Sequence, residues 1–314
     1  MPDRILALLI GFGLDLILGD PEWLYHPVRL IGKYISFAEN RLRARGGDLR
    51  RSALLLTGST LLVTGAAAAL MLLLAGMGGR WVRLAVSALL CWMGIAVKSM
   101  AKEAHMVRQA LERGIDAGRK QVARIVGRDT GMLSRQEIVK AAVETVAENT
   151  ADGVVSPLIY AALGGPVLLW VFKAASTLDS MVGYRDEKYR DIGWSSARLD
   201  DVLNYIPARI TALLMCAAAA VTGLDAGNGL RIVMRDHANH LSPNCAWPES
   251  AAAGSLHIQL GGTHTYFGKS VYKPTIGDDD REAEPADIGR VNRLLYGAAI
   301  AAMALITAAG LILK

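Results

Sequence analysis

Residues 52–79 read SALLLTGSTLLVTGAAAALMLLLAGMGG, 28 consecutive positions without Asp, Glu, Lys, Arg or His. Roughly 20 apolar residues in a helix cross a hydrocarbon core about 30 Å thick. A soluble helix seldom runs that long without a polar face. The stretch therefore predicts a membrane span, and 20 uncharged positions at 294–313 predict another. The chain around them has 314 residues, 52% hydrophobic and 20% charged. That balance excludes a disordered chain, and 32 glycines without a period exclude a collagen-like one.

Working outward, six apolar segments emerge: 5–18, 53–76, 84–99, 153–172, 206–224 and 294–313. The first has Asp15 inside it and no small-residue cleavage site after it, so it reads as an uncleaved span. Segment 84–99 spans if Lys98 snorkels to the interface. Segment 153–172 holds Pro157 and then Gly164-Gly165-Pro166. Proline removes a helix donor and glycine loosens the backbone, so a broken or re-entrant segment is expected. The stretches 19–51 and 98–152 carry seven and ten Lys/Arg, whereas the link between the second and third segments has only Arg80 and Arg83. Positive charge favours the cytoplasmic side, which places 19–51 and 98–152 there. The expected fold class is all-α: a single multi-pass helical integral membrane domain over 1–314, with helical cytoplasmic loops.

Ser134 followed by Glu137 is a capping box that opens a helix running to about residue 150. On it Lys140, Glu144 and Glu148 recur every fourth residue and form one polar stripe, which Asp152 extends if the helix continues. Residues 277–287 are acidic and read as a loose loop. Cys91, Cys216 and Cys245 form no C-x-x-C pattern, so neither a disulfide framework nor a zinc site is suggested. His237 and His240 lack a declared third ligand. No Walker-type phosphate loop is present.

Four polar clusters sit beside apolar segments. They are Gly19-Asp20-Pro21 with His26 and Arg29; residues 144–157; residues 173–209; and residues 235–262. Carboxylates are hard oxygen ligands suited to Mg²⁺, which takes one or two of them plus substrate phosphates. Glu144, Glu148, Asp152, Asp179, Asp200 and Asp201 are the candidates. Lys173, Arg185, Arg198, Arg209 and Arg235 can hold phosphates or carboxylates, the arginines bidentately. Ser195, Ser196 and Cys245 are weaker candidates as nucleophiles. The clusters together point to phosphoryl chemistry on anionic substrates. Any one of these residues, taken alone, is as easily explained by interfacial ion pairing.

The same clusters, in this order, resemble the membrane-bound cobalamin-biosynthesis family of adenosylcobinamide-phosphate synthases over nearly the whole chain. The resemblance is carried by GDPEWLYHPVRLIG (19–32), ETVAENTADGVVSPLIYAALGGP (144–166), TLDSMVGY (177–184), ARLDD (197–201) and SPN-x-x-WPE (242–249). Around Cys245-Ala246 the family has small residues, a departure that argues against a required thiol. The resemblance implies an ATP-dependent ligase that joins a propionate carboxyl of adenosylcobyric acid to aminopropanol or its O-phosphate. It implies ATP and Mg²⁺, with the corrinoid as substrate. On that basis Glu148 and Asp152 are expected at the metal, and Glu144, Asp179, Asp200 and Asp201 in catalytic positions. Lys173, Arg185, Arg198, Arg209, Arg235, Asn244, Glu249, His26 and Arg29 are expected to bind substrates. The site is expected to face the cytoplasm from the cell inner membrane.

The implied partners are the corrinoid, the aminopropanol-type amine and the lipid bilayer. Other cobalamin-biosynthesis enzymes, or a second copy of the chain, are the protein partners considered. No nucleic-acid module is visible, and a net charge of +5 suits loops near anionic lipid. The competing readings are a corrinoid or other solute transporter, a membrane phosphoryl or prenyl transferase with an Asp-rich metal site, and a scaffold for other enzymes.

Overall fold

The computed structural model describes residues 2–312 apart from Glu22, Arg185, Phe267 and the side chain of Tyr266. The candidate Arg185 and the last residue of the final apolar segment, Leu313, lie outside the described residues. In chain order the elements are α1 (Asp3–Leu18), α2 (Pro27–Ala44), α3 (Leu49–Met77), α4 (Arg80–Trp92), α5 (Val97–Arg113), α6 (Ile115–Val122) and α7 (Arg135–Asn149). A π-helical turn (Thr150–Val155) follows, then α8 (Ser156–Val182), α9 (Trp194–Leu203), α10 (Tyr205–Val221), α11 (Ala226–Asp236) and α12 (Ala246–Leu256). An antiparallel hairpin, β1 (Leu260–Tyr266) and β2 (Lys269–Ile276), precedes α13 (Pro285–Ile312). The protein is thus helical, with one small sheet that hydrophobic periodicity did not announce.

Among the described residues, four helical stretches are long and apolar enough to cross a membrane: Leu49–Met77, Arg80–Arg113, Arg135–Val182 and Pro285–Ile312. Helix α3 makes the case plainest. Leu55, Leu62, Leu70, Leu73 and Met77 all lie more than half exposed along it. An apolar helix with this much exposed surface is stable only in an apolar surrounding. In segment 84–99, helix α4 stops at Trp92, and α5 starts afresh at Val97 with an amphipathic sequence.

The chain forms two compact units: Met1–Ala96 with Ser156–Asn204 and Leu305–Lys314, and Val97–Val155 with Tyr205–Ala304. In the first unit α1 and α4 run parallel. Asp3 and Arg80 pair at their starts, and the Trp92 indole donates to the Gly19 carbonyl at their ends, at 2.9 Å. Gly11 lets their backbones meet, since a Cβ there would fall 2.8 Å from the Ala88 carbonyl oxygen.

Helix α8 leaves helical geometry at Gly164 and Gly165, and Gly165 has φ +67°. The break is a reversal. Twelve residues of straight helix would separate Tyr160 and Phe172 by about 18 Å along the axis. Instead their rings stack, with centroids 4.8 Å apart. The first arm, 156–163, and the second, 166–182, therefore lie side by side, and the chain returns towards the level from which it entered. Pro166 suits the start of the second arm, where its missing N–H removes no hydrogen bond.

In the second unit the Ser134–Glu137 capping box is present at the head of α7. Helices α11 and α12 pack closely through Gly229 and Gly254; a Cβ on Gly254 would sit 2.7 Å from the Asn228 carbonyl oxygen. The acidic stretch after β2, expected to be loose, is tied down. Arg231 and Arg235 hold Asp278, and Arg281 and Arg290 hold the fully buried Asp287.

Candidate functional site

The sequence-selected residues fall into two groups, one in each unit. In the first unit a cleft of about 330 Å³ opens where α1 and α4 end. Asp20, His26, Arg29 and Lys173 line it. His26 is the N-cap of α2: its Nδ1 accepts from the Val28 N–H at 3.2 Å, and its Nε2 lies 3.9 Å from Asp20. Burial holds the imidazole below its ordinary pKa; Asp20 opposes this, and Lys173 adds to it. The cleft therefore presents a neutral imidazole, one carboxylate and two fixed cations.

The other first-unit candidates lie on the second arm of α8 and on α9. Asp179 is half-buried near the end of α8. It requires glycine at 183, where a Cβ would fall 2.0 Å from its Oδ1. On α9, Asn204 donates to Asp200 at 3.1 Å and accepts from the Ser156 hydroxyl at 2.7 Å, so a buried chain of hydrogen bonds orients the Asp200 carboxylate. Asp201 is half-buried and Arg198 is exposed on the same helix. Ser195 and Ser196 are buried against Thr57 of α3, with hydroxyl distances of 2.7 and 3.0 Å. That is helix-to-helix bonding and leaves no base beside a nucleophile.

The second unit gathers the denser group. Glu144 and Glu148 lie one turn apart on α7, and Asp152 follows in the π-helical turn. The helix does continue past residue 150, and the π-turn shifts Asp152 off the α-helical stripe; such turns recur at functional positions. Glu144 is buried and engaged at both oxygens. Arg128 pairs with Oε2, and the Gly261 N–H donates to Oε1 at 2.9 Å. Arg128 also contacts His264 of β1 at 2.7 Å. The geometry thus gives Glu144 the work of holding the hairpin. Burial and the adjacent Arg128 guanidinium hold His264 down to about 4.

Cys245 donates to Glu148 at 3.1 Å. Burial, then Glu148, Glu249 and Asp152, push its thiol well above the ordinary range, which makes it a poor nucleophile. Glu249 of α12 is only 5% exposed. Burial, then the carboxylates of Glu144 and Glu148, raise it well above the usual carboxylate range and favour its protonated form. His240 is held low by burial and by Lys273. The Arg209 guanidinium lies against the rings of Tyr205 and Trp247, at 3.4 and 4.6 Å from their centroids, and reaches Asn244 at 3.3 Å. Arg235, expected at a substrate, instead donates three hydrogen bonds to Asp236 and Asp278, at 2.6–2.8 Å.

Among the described residues no three His, Cys, Asp or Glu side chains converge closely enough to enclose a metal. Glu148 and Asp152 both lie within electrostatic reach of the Cys245 thiol. Arg128, His264, Lys273 and Trp247 were absent from the sequence-selected set. Alternating Thr263, Thr265, Val271 and Lys273 around the Gly268 turn was the available strand signal for two of them.

A helical membrane protein with buried acids beside a stacked arginine defines a class rather than a family; comparison with known proteins supplies the latter. The family model for "CobD/Cbib protein" matches residues 8–295, and the chain belongs to that family. The cobalamin biosynthesis protein CobD of Pelobacter propionicus is 48% identical over 306 residues, covering 96% of this chain and 95% of its own. CobD of Geobacter metallireducens is 47% identical over 293 residues, 91% of this chain and 90% of its own. The cobalamin biosynthesis protein CbiB of Salmonella typhimurium is 45% identical over 312 residues, 97% of both chains. No solved structure matches the chain.

Proposed function

We propose that this protein is an ATP-dependent amide ligase of cobalamin biosynthesis. It joins a propionate carboxyl of adenosylcobyric acid to the amine of aminopropanol or its O-phosphate. Membership of the family and the full-length likeness to cobalamin biosynthesis proteins support the pathway. The observation that carries the chemistry is the acid group of the second unit: Glu148 and Asp152 beside the buried, proton-holding Glu249, with Arg209 held flat between two rings.

Amide formation needs a carboxylate oxygen turned into a leaving group and an amine that has lost its proton. When bound, ATP would supply the phosphoryl group for the first requirement, and Mg²⁺ would screen its charge. Glu148 and Asp152 would hold that metal. Arg209 keeps its plane fixed by stacking and so presents donors to an anionic oxygen without loss of rotamer freedom. Glu249 holds a proton at rest and exchanges it with the reacting groups. The first-unit cleft, with Arg29 and Lys173 as cations, takes a small phosphate or carboxylate. Asp200 or Asp201 is the amine's base, Asp200 being the one already oriented by Asn204, and Asp179 is a positioning acid. The reaction faces the cytoplasm from the inner membrane.

Label transfer tests this reading. With ¹⁸O in the propionate carboxyl, purified protein, ATP, Mg²⁺ and the amine, one label per turnover is expected in released phosphate. The second carboxyl oxygen stays in the amide carbonyl, so amide product formed alongside unlabelled phosphate would contradict it. The reversal in α8 favours one second reading, a transporter, because discontinuous helices line transporter sites. Corrinoid accumulation in vesicles without a covalent product would select it.

A further inference from the structure

At the end of the α1–α4 pair opposite the His26 cleft lies a second cleft, about 600 Å³ in volume. It is formed by the starts of α1 and α4, the end of α3 and the tip of the α8 reversal. Its charged lining residues are Arg4, Arg80, Arg83 and Asp3. Arg80 forks onto Asp3 at 2.7 and 3.0 Å. Arg4 spends one N–H on the Leu163 carbonyl at 3.3 Å. No ion pair joins Arg4 or Arg83 to a carboxylate among the described residues. The cleft therefore has cations in excess and N–H donors to give. None of these residues enters the amide chemistry, and none was singled out for it.

The surroundings say what kind of anion fits. Leu73, Leu74, Met77, Trp81 and Leu163 flank the arginines and are 59–84% exposed. The Arg80 guanidinium lies 5.5 Å from the Trp81 ring centroid, an arrangement of aromatic and cation common at the membrane–water boundary. A cationic cleft rimmed by bare, long apolar side chains matches an amphiphile. A free anion would have no use for the rim.

We infer that this cleft is a binding site for the phosphate headgroup of an anionic phospholipid, with Arg4 and Arg83 on the phosphate and the acyl chains along α3 and Leu163. Guanidinium groups bind phosphate bidentately, and a basic pocket between membrane helices is suited to an acidic headgroup. The lipid would seat the tip of the α8 reversal against α1 and α4.

Native mass spectrometry of the full chain in nonionic detergent tests this, with dioleoyl phosphatidylglycerol, dioleoyl phosphatidylcholine and inorganic phosphate as probes. Phosphatidylglycerol is expected to bind at least about tenfold tighter than phosphatidylcholine, and millimolar phosphate should not displace it. The double variant Arg4→Gln, Arg83→Gln should lose that preference, whereas Arg4→Lys, Arg83→Lys and the control Arg113→Gln should keep most of it. Retention by the Lys variant excludes misfolding as the cause. Equal binding of the two lipids, an unchanged preference in the Gln variant, or displacement by inorganic phosphate would overturn the assignment.

Discussion

Arg209 shows how much a single side chain owes to its neighbours. Stacked on Tyr205 and Trp247, it presents a planar fork that lysine cannot reproduce. Arg209→Lys is expected to raise the KM for ATP about tenfold, the equivalent of about 1.4 kcal/mol, with little change in thermal stability. Glu249 makes a sharper case. Glu249→Gln preserves the neutral, buried shape and should leave melting in detergent unchanged, yet lower kcat by about 10²-fold or more if the proton moves. Equal kcat in the two proteins would remove Glu249 from the mechanism. His264 supplies a pH signature. Its folded pKa of about 4 lies below the ordinary 6.5, so the unfolded chain binds the proton more readily. The resulting stability is fully present above pH 6.5 and is lost as pH falls towards 4, by about 3 kcal/mol at most. His264→Gln should therefore show a shallower loss of melting temperature across that interval.

At the scale of elements, α8 and the hairpin behaved differently as readings. The reversal in α8 was legible because its cause is local: two glycines and a proline inside an apolar run. Gly165 at φ +67° is a position where any side chain is strained. Gly165→Ala is expected to cost about 1–2 kcal/mol of stability, measured by chemical unfolding in mixed micelles. Gly183→Ala falls just past the end of the same helix but acts on chemistry, because its new methyl displaces the Asp179 carboxylate. It should reduce turnover more than it reduces stability, if Asp179 takes part. The β1–β2 hairpin was not legible, since its strands are short and its anchors are distant. Glu144 meets Arg128 from 16 positions away and Gly261 from 117. Spacing along α7 could reveal that Glu144 and Glu148 share a face; it could not reveal that one is occupied by the hairpin and the other faces Cys245.

On the scale of the whole molecule, composition located the membrane segments, and the motifs located the family. What they did not separate is which acids answer to structure. Glu144 and Arg235 look like site residues in a sequence and are held in ion pairs in the fold. The reversal also bears on topology. If 153–172 returns to its starting side, residues 120 and 188 face the same side of the membrane. Cysteines placed there, in a chain lacking Cys91, Cys216 and Cys245, should react together with an impermeant maleimide or be protected together.

The most direct test of the account is the mass of what the purified protein makes. Adenosylcobyric acid, ATP, Mg²⁺ and either aminopropanol or its O-phosphate are incubated with the full chain in detergent and resolved by liquid chromatography and mass spectrometry. The account predicts a corrinoid heavier by the amine less one water, formed only with ATP and abolished by Glu148→Gln with Asp152→Asn. Corrinoid recovered unchanged with both amines, from protein that is folded and binds it, would contradict the account.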